Sequence, residues 1–195
     1  IVEDVFSPEY ILYVQGEGAT VIPEMMNNFS FDHLFYTGST AVGKIIYKMA
    51  AERLVPVTLE LGGKSPCVAA RRIAIAKFSN AGKMCVAPDY LLVHQSVKEQ
   101  MINELKETIQ KFFTEKPEES YNYGKMINEK QFNRVIGYLS NGTKKLGGRI
   151  DKEKLFIEPT ILTDVPLDSP VMSDEIFGPV LPVISFTTME EAKSI

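Results

Sequence analysis

Cys85 stands in the run Lys83-Met84-Cys85-Val86-Ala87-Pro88, directly after Asn80-Ala81-Gly82. A thiol in a polar turn beside a lysine differs from one sealed in a strand, because a nearby cation favours the nucleophilic thiolate. A lone cysteine is also commonly a small packing residue, so the local pattern leaves both readings open. Cys67, in Ser65-Pro66-Cys67-Val68-Ala69, sits in an apolar stretch and reads as structural. The two are too far apart for a CxxC pair. Glu60 closes the run Pro56-Val57-Thr58-Leu59-Glu60-Leu61 ahead of Gly62-Gly63. Ligands of parallel sheets gather outside the carboxyl ends of strands, and partial burial there would raise a carboxylate's pKa and suit it to general-base work. The plainer alternative is an ion pair with Lys64.

Thr37-Gly38-Ser39-Thr40-Ala41-Val42-Gly43 joins a strand pattern to a helix pattern. Gly38 permits a tight turn, and Ser39 or Thr40 could cap the helix or reach a phosphate oxygen. Gly43, one turn in, permits close approach by a sheet or a ligand. Glu175 and Phe177 stand two residues apart before Gly178-Pro179. In an extended segment they would point the same way, to hold a ribose and a flat ring or merely to bracket a turn. His33 and His94 lie beside apolar strand runs with no second ligand at metal spacing, so no metal centre is expected.

The elements that must position these residues follow from periodicity. Strand patterns fall on Tyr10–Val14, His33–Tyr36 and Pro56–Leu61, and helix patterns on 17–28 and 41–54, with Val42, Ile45, Ile46, Met49 and Ala50 on one face. Such strand–helix alternation implies a parallel sheet with right-handed crossovers. Further on, 69–81 reads as a helix stopped by Gly82, and Leu91–Val93 as a strand. Ser96 is placed to cap a helix over 97–113 with Glu99 as capping-box partner, and Asn128 to cap one over 128–139. Phe156–Ile157, Thr160–Leu162 and Val180–Phe186 complete the strand patterns.

The 195 residues suit one ordinary domain or two small ones, and at 45% hydrophobic they can bury a core. A net charge of −4 argues against broad nucleic-acid binding, and the cysteines are too few for a disulfide scaffold. No apolar run reaches membrane-spanning length and no signal-peptide layout opens the chain, so a soluble cytoplasmic protein is expected. Both ends enter in mid-pattern, which makes the chain read as a fragment.

Together these segments resemble the aldehyde dehydrogenase superfamily, and within it the class 3 branch acting on fatty and aromatic aldehydes. The resemblance rests on Phe31–Lys44, on Pro56-Val57-Thr58-Leu59-Glu60-Leu61-Gly62-Gly63-Lys64-Ser65-Pro66, on Asn80–Tyr90 around Cys85 and on Glu175-Ile176-Phe177-Gly178-Pro179, in family order. It implies an α/β fold in which residues 1–60 are the C-terminal part of a Rossmann-type NAD(P)-binding domain and 61–195 an incomplete catalytic domain. It implies that Cys85 attacks the aldehyde and passes through a thiohemiacetal and a thioester, while its backbone N–H helps stabilise the oxyanion. Glu60 would then activate the hydrolytic water. NAD or NADP would be held by Gly38, Ser39, Thr40, Val42, Gly43, Leu61, Gly62, Glu175 and Phe177, and the full-length protein would be a homodimer.

The chain also departs from the family pattern. Lys83 stands where the motif usually has glutamine, and the family's connection after Cys67 is longer. The family's asparagine oxyanion donor, first βαβ unit and C-terminal wall fall outside the chain, as does the C-terminal membrane anchor of some members. The chain alone is therefore expected to lack full activity. The competing expectations are a non-catalytic module of the same fold and a cofactor-independent thiol hydrolase using Cys85 and Glu60.

Overall fold

The computed structural model describes residues 5–63 and 70–195, and the backbone of 66–67. The side chain of Cys67 and the whole of Lys64 lie outside the described residues. The chain divides into two compact units, Ile1–Gly62 and Gly63–Ile195.

In the first unit α1 (Gly18–Asn28), β1 (Leu34–Gly38), α2 (Thr40–Ala51) and β2 (Val57–Leu61) follow one another. β1 and β2 pair in parallel, from Leu34 opposite Val57 to Gly38 opposite Leu61, with α2 as the crossover that a parallel pair requires. Ser39 caps α2, its Oγ accepting the Val42 N–H at 3.3 Å. The buried face of α2 is Gly43, Ile46 and Ala50, spaced for one side of a helix. Val42 and Ile45, expected on that face, are exposed. A Cβ at Gly43 would stand 2.8 Å from Leu61 Cδ2, so it is the sheet that approaches closely there.

Tyr10–Val14 is not a strand. All five residues are exposed and pair with no strand among the described residues, so the unit's sheet has two strands where three were expected. A β-rich composition makes a strand only when a neighbour supplies the ladder and the packing surface.

The second unit contains β3 (Pro66–Cys67), α3 (Ala70–Phe78), β4 (Tyr90–His94), α4 (Lys98–Phe113), α5 (Glu129–Gly137), β5 (Thr143–Leu146), β6 (Ile150–Asp151), β7 (Phe156–Ile157), β8 (Thr160–Thr163), α6 (Pro170–Ser173), β9 (Val180–Phe186) and α7 (Met189–Ser194). Its main sheet runs β3-β4-β9-β8-β5, parallel except where β5 meets β8. β6 and β7 form a separate antiparallel pair. Side chains alternate across the main sheet. Leu91, Val93, Ile161, Leu181 and Val183 pack with Ile73, Ala74 and Phe78 of α3 and with Leu105, Ile109 and Phe113 of α4. Leu162, Val180 and Ile184 pack in a second core with Phe132 and Val135 of α5. Helices thus cover both faces, as parallel sheets require. Each fully buried Leu, Ile or Phe contributes roughly 1.5–3 kcal/mol to this arrangement.

Helix capping follows the sequence in one case and departs from it in another. Asn128 caps α5, its Oδ1 accepting the Gln131 N–H at 2.9 Å. Ser96 does not cap α4, which starts at Lys98 behind Val97 with no side-chain cap. Its hydroxyl lies 2.7 Å from His94 Nδ1, which also accepts the Ser96 N–H, while His94 Nε2 faces the Thr187 carbonyl. The histidine network competes for the serine and wins. No described helix is long and apolar enough to cross a membrane.

Candidate active site

In the second unit α3 ends at Phe78, and the chain turns through Ser79–Gly82 with Asn80, Ala81 and Gly82 in succession at φ 50°, 52° and 71°. Left-handed backbone disfavours side chains other than those of glycine and asparagine, so the turn persists only because its surroundings hold it. The Lys83 N–H donates to the Asn80 carbonyl at 3.2 Å, and Ala81 and Gly82 are buried. Gly82 has no freedom to carry a side chain, since a Cβ there would overlap the Gly178 carbonyl. Beyond this anchor Met84, Cys85 and Val86 are exposed, and an Ala87 N–H to Met84 carbonyl bond of 2.9 Å closes the turn. Among the described residues the Cys85 N–H meets no acceptor, so it is available to a developing oxyanion. Partial burial of Lys83 lowers its pKa below the ordinary lysine value.

The loop before β9 brings Glu175 and Phe177 to this turn, through the contact of Gly178 with Gly82. Between them the Ile176 side chain is wholly buried. Simple alternation fails here because Phe177 adopts φ 44°, leaving the extended region, with its ring 39% exposed. Desolvation raises the pKa of Glu175 and the neighbouring Asp89 charge adds to this, whereas Lys77, Arg134 and a backbone hydrogen bond from Gly63 oppose it.

Sequence reasoning assigned no role to the residues that hold this loop. Arg134, on α5, donates to the carbonyls of Glu175 and Ile176 at 3.3 and 2.8 Å. Asp89 Oδ1 accepts the Ile176 N–H at 3.0 Å and lies 3.8 Å from Lys77 Nζ, both side chains being buried. The signal was present: Lys77 shares the inward face of α3 with Ile73, Ala74 and Phe78, and a charge on an apolar face needs a buried partner.

In the first unit the β1–β2 register sets Thr37 opposite Glu60 and Gly38 opposite Leu61, so the Gly38–Gly43 turn and Glu60–Gly62 share one end of the sheet. Ser39 acts as the helix cap, and Thr40 and Val42 are exposed in the first turn of α2. Glu60 is exposed, which removes the partial burial expected for a tuned general base. His33 Nε2 lies 2.9 Å from Thr58 Oγ1, an edge contact. No group of metal-binding side chains occurs among the described residues.

The second unit is therefore a parallel α/β structure built around an exposed thiol on a constrained turn, with a carboxylate and an aromatic ring offered by the adjoining loop. The model of the aldehyde dehydrogenase family matches residues 1–195, and the chain belongs to that family. It is 46% identical over 197 residues to the rat (Rattus norvegicus) "Aldehyde dehydrogenase, dimeric NADP-preferring", which covers 95% of this chain and 44% of the relative. It is 41% identical over 206 residues to the 4,4'-diaponeurosporen-aldehyde dehydrogenase of Staphylococcus aureus, covering 98% of this chain and 44% of the relative. The solved "Substrate bound state of Staphylococcus Aureus AldH" superposes with a TM-score of 0.92 at 39% identity, over 98% of this chain and 44% of that one. The chain thus spans less than half the length of these relatives.

Proposed function

We propose that the protein containing this chain oxidises apolar aldehydes, medium- to long-chain aliphatic or aromatic, to carboxylic acids with NAD or NADP. The observation that carries the reading is the exposed Cys85, with its N–H unengaged, on a turn packed against the loop of Glu175 and Phe177. The Cys85 thiolate adds to the aldehyde carbon, forming a C–S bond, and the carbonyl oxygen becomes an oxyanion that accepts the Cys85 N–H. NAD or NADP would supply the hydride acceptor for this carbon, and Cys85 would then carry the acyl group as a thioester. Glu60 takes a proton from water, whose oxygen adds to the thioester; the C–S bond breaks and the thiolate returns.

The donors present suit a dinucleotide. The turn from Gly38 into α2, which carries Ser39, Thr40, Val42 and Gly43, offers the Thr40 and Ala41 N–H groups to a pyrophosphate, those of Val42 and Gly43 being held by Ser39, and Leu61 and Gly62 stand at the same sheet end. Glu175 offers a carboxylate to a ribose diol and Phe177 an exposed ring to the nicotinamide. On this reading 1–60 belongs to the cofactor domain and 61–195 to the catalytic domain. Met84 and Val86, exposed on either side of the thiol, favour an apolar aldehyde. By analogy with the rat relative, whose name calls it dimeric, we place the full protein as a homodimer.

The test is aldehyde-dependent NAD(P)H formation by the full-length protein and its Cys85→Ala variant. Activity is expected to fall to background, and activity that survives would overturn the reading. Ester cleavage indifferent to cofactor would favour a thiol hydrolase instead.

A further inference from the structure

The turn that presents Cys85 and the loop that presents Glu175 and Phe177 touch backbone to backbone at one point. A Cβ added to Gly82 would overlap the Gly178 carbonyl oxygen and approach its carbon to 2.7 Å, with the Lys77 carbonyl oxygen 3.0 Å away. On the loop's other side a Cβ at Gly178 would stand 2.8 Å from both methyls of Val135. The loop is therefore gripped between residue 82 and α5 with no room for a methyl group on either side. A second tie lies downstream of the thiol, where Asp89 accepts the Ile176 N–H at 3.0 Å. The nucleophile segment thus holds the loop both before and after Cys85, and the buried Ile176 side chain keeps the loop from sliding.

We propose that Gly82 is a positioning residue, setting the height of the 175–178 loop over the thiol turn so that the loop's ligand and Cys85 respond to each other as parts of one body. This rests on the reading of Cys85 as nucleophile and of Glu175 and Phe177 as cofactor contacts. Packed backbone of this kind transmits displacement, because neither surface has slack to absorb it. Occupancy of the loop then changes the reactivity of the thiol, and modification of the thiol changes affinity at the loop.

The experiment uses the full-length protein with Gly82→Ala and Gly82→Asn. Asparagine tolerates φ near 71° far better than alanine, but both bring a Cβ. Contact at residue 82 predicts that both variants raise the cofactor KM about tenfold, while backbone strain alone predicts that asparagine largely spares it. A spared asparagine variant overturns the proposal. Should neither variant fold, the wild type decides: iodoacetamide alkylation of Cys85 is timed with and without ADP-ribose, which reaches the ribose contact but lacks the nicotinamide that could shield the thiol. A change of about fivefold in the alkylation rate, accompanied by an altered ADP-ribose affinity after alkylation, is the expected result. An unchanged rate overturns the proposal. If Cys85→Ala retains aldehyde oxidation, the underlying reading fails and the proposal with it; if Cys85→Ala is inactive and the alkylation rate ignores ADP-ribose, the proposal fails alone.

Discussion

A carboxylate proposed to hold a diol works best ionised, yet Glu175 is partly buried near Asp89, and both influences push its pKa up from the ordinary 4.5. The folded protein therefore binds this proton more tightly than the unfolded chain does. Below pH 4.5 the group is protonated in both states and costs nothing. As pH rises from 4.5 through the raised folded value, stability is lost, and it stays reduced above that value. Glu175→Gln is expected to melt above the wild type at about pH 7, with the gain vanishing at about pH 4, in thermal unfolding followed across that range. An equal gain at both ends would assign the effect to packing rather than charge. Glu175 and Phe177 were legible in the sequence as a pair, but their geometry was not. Sequence alternation assumes extended backbone, and Phe177 at φ 44° leaves it.

At the scale of elements, legibility followed burial. Leu91–Val93, Thr160–Leu162 and Val180–Phe186 announce themselves because strands buried on both faces read as continuous apolar runs. β5, written Thr143-Lys144-Lys145-Leu146, gave no such signal: it is an edge strand that takes its conformation from β8, and its lysines are typical of an edge protected from further pairing. Tyr10–Val14 failed in the opposite sense, with strand composition and no partner among the described residues. Caps divide the same way. Asn128 faces no competitor and caps α5, whereas Ser96 is claimed by His94. Asn128→Ala is expected to cost about 1 kcal/mol in urea unfolding, because the Gln131 N–H loses its acceptor. α5 also carries Arg134 to the loop carbonyls, so the loss at the cap falls on a helix that supports the candidate site.

For the whole molecule, the least legible feature is the buried pair of Lys77 and Asp89, which ties α3 to the entrance of β4 beneath the loop. The place of Lys77 on an apolar helix face signals that a partner is needed, but no local pattern reveals that Asp89 is that partner, because tertiary folding alone brings them together. Lys77→Met removes the buried cation 3.8 Å from Asp89 and is expected to cost about 3–5 kcal/mol in urea unfolding. Adding Asp89→Asn removes the Asp89 charge and keeps an oxygen for the Ile176 N–H, so the double variant should recover most of the loss. Simple additivity of the two single changes would show that the charges do not sense each other.

The same pair bears on how such a chain can change over generations. Exchanging either partner alone breaks a buried ion pair, which costs more than exchanging both for apolar residues of similar volume. Substitutions at Lys77 and Asp89 are then expected to be tolerated better together than singly.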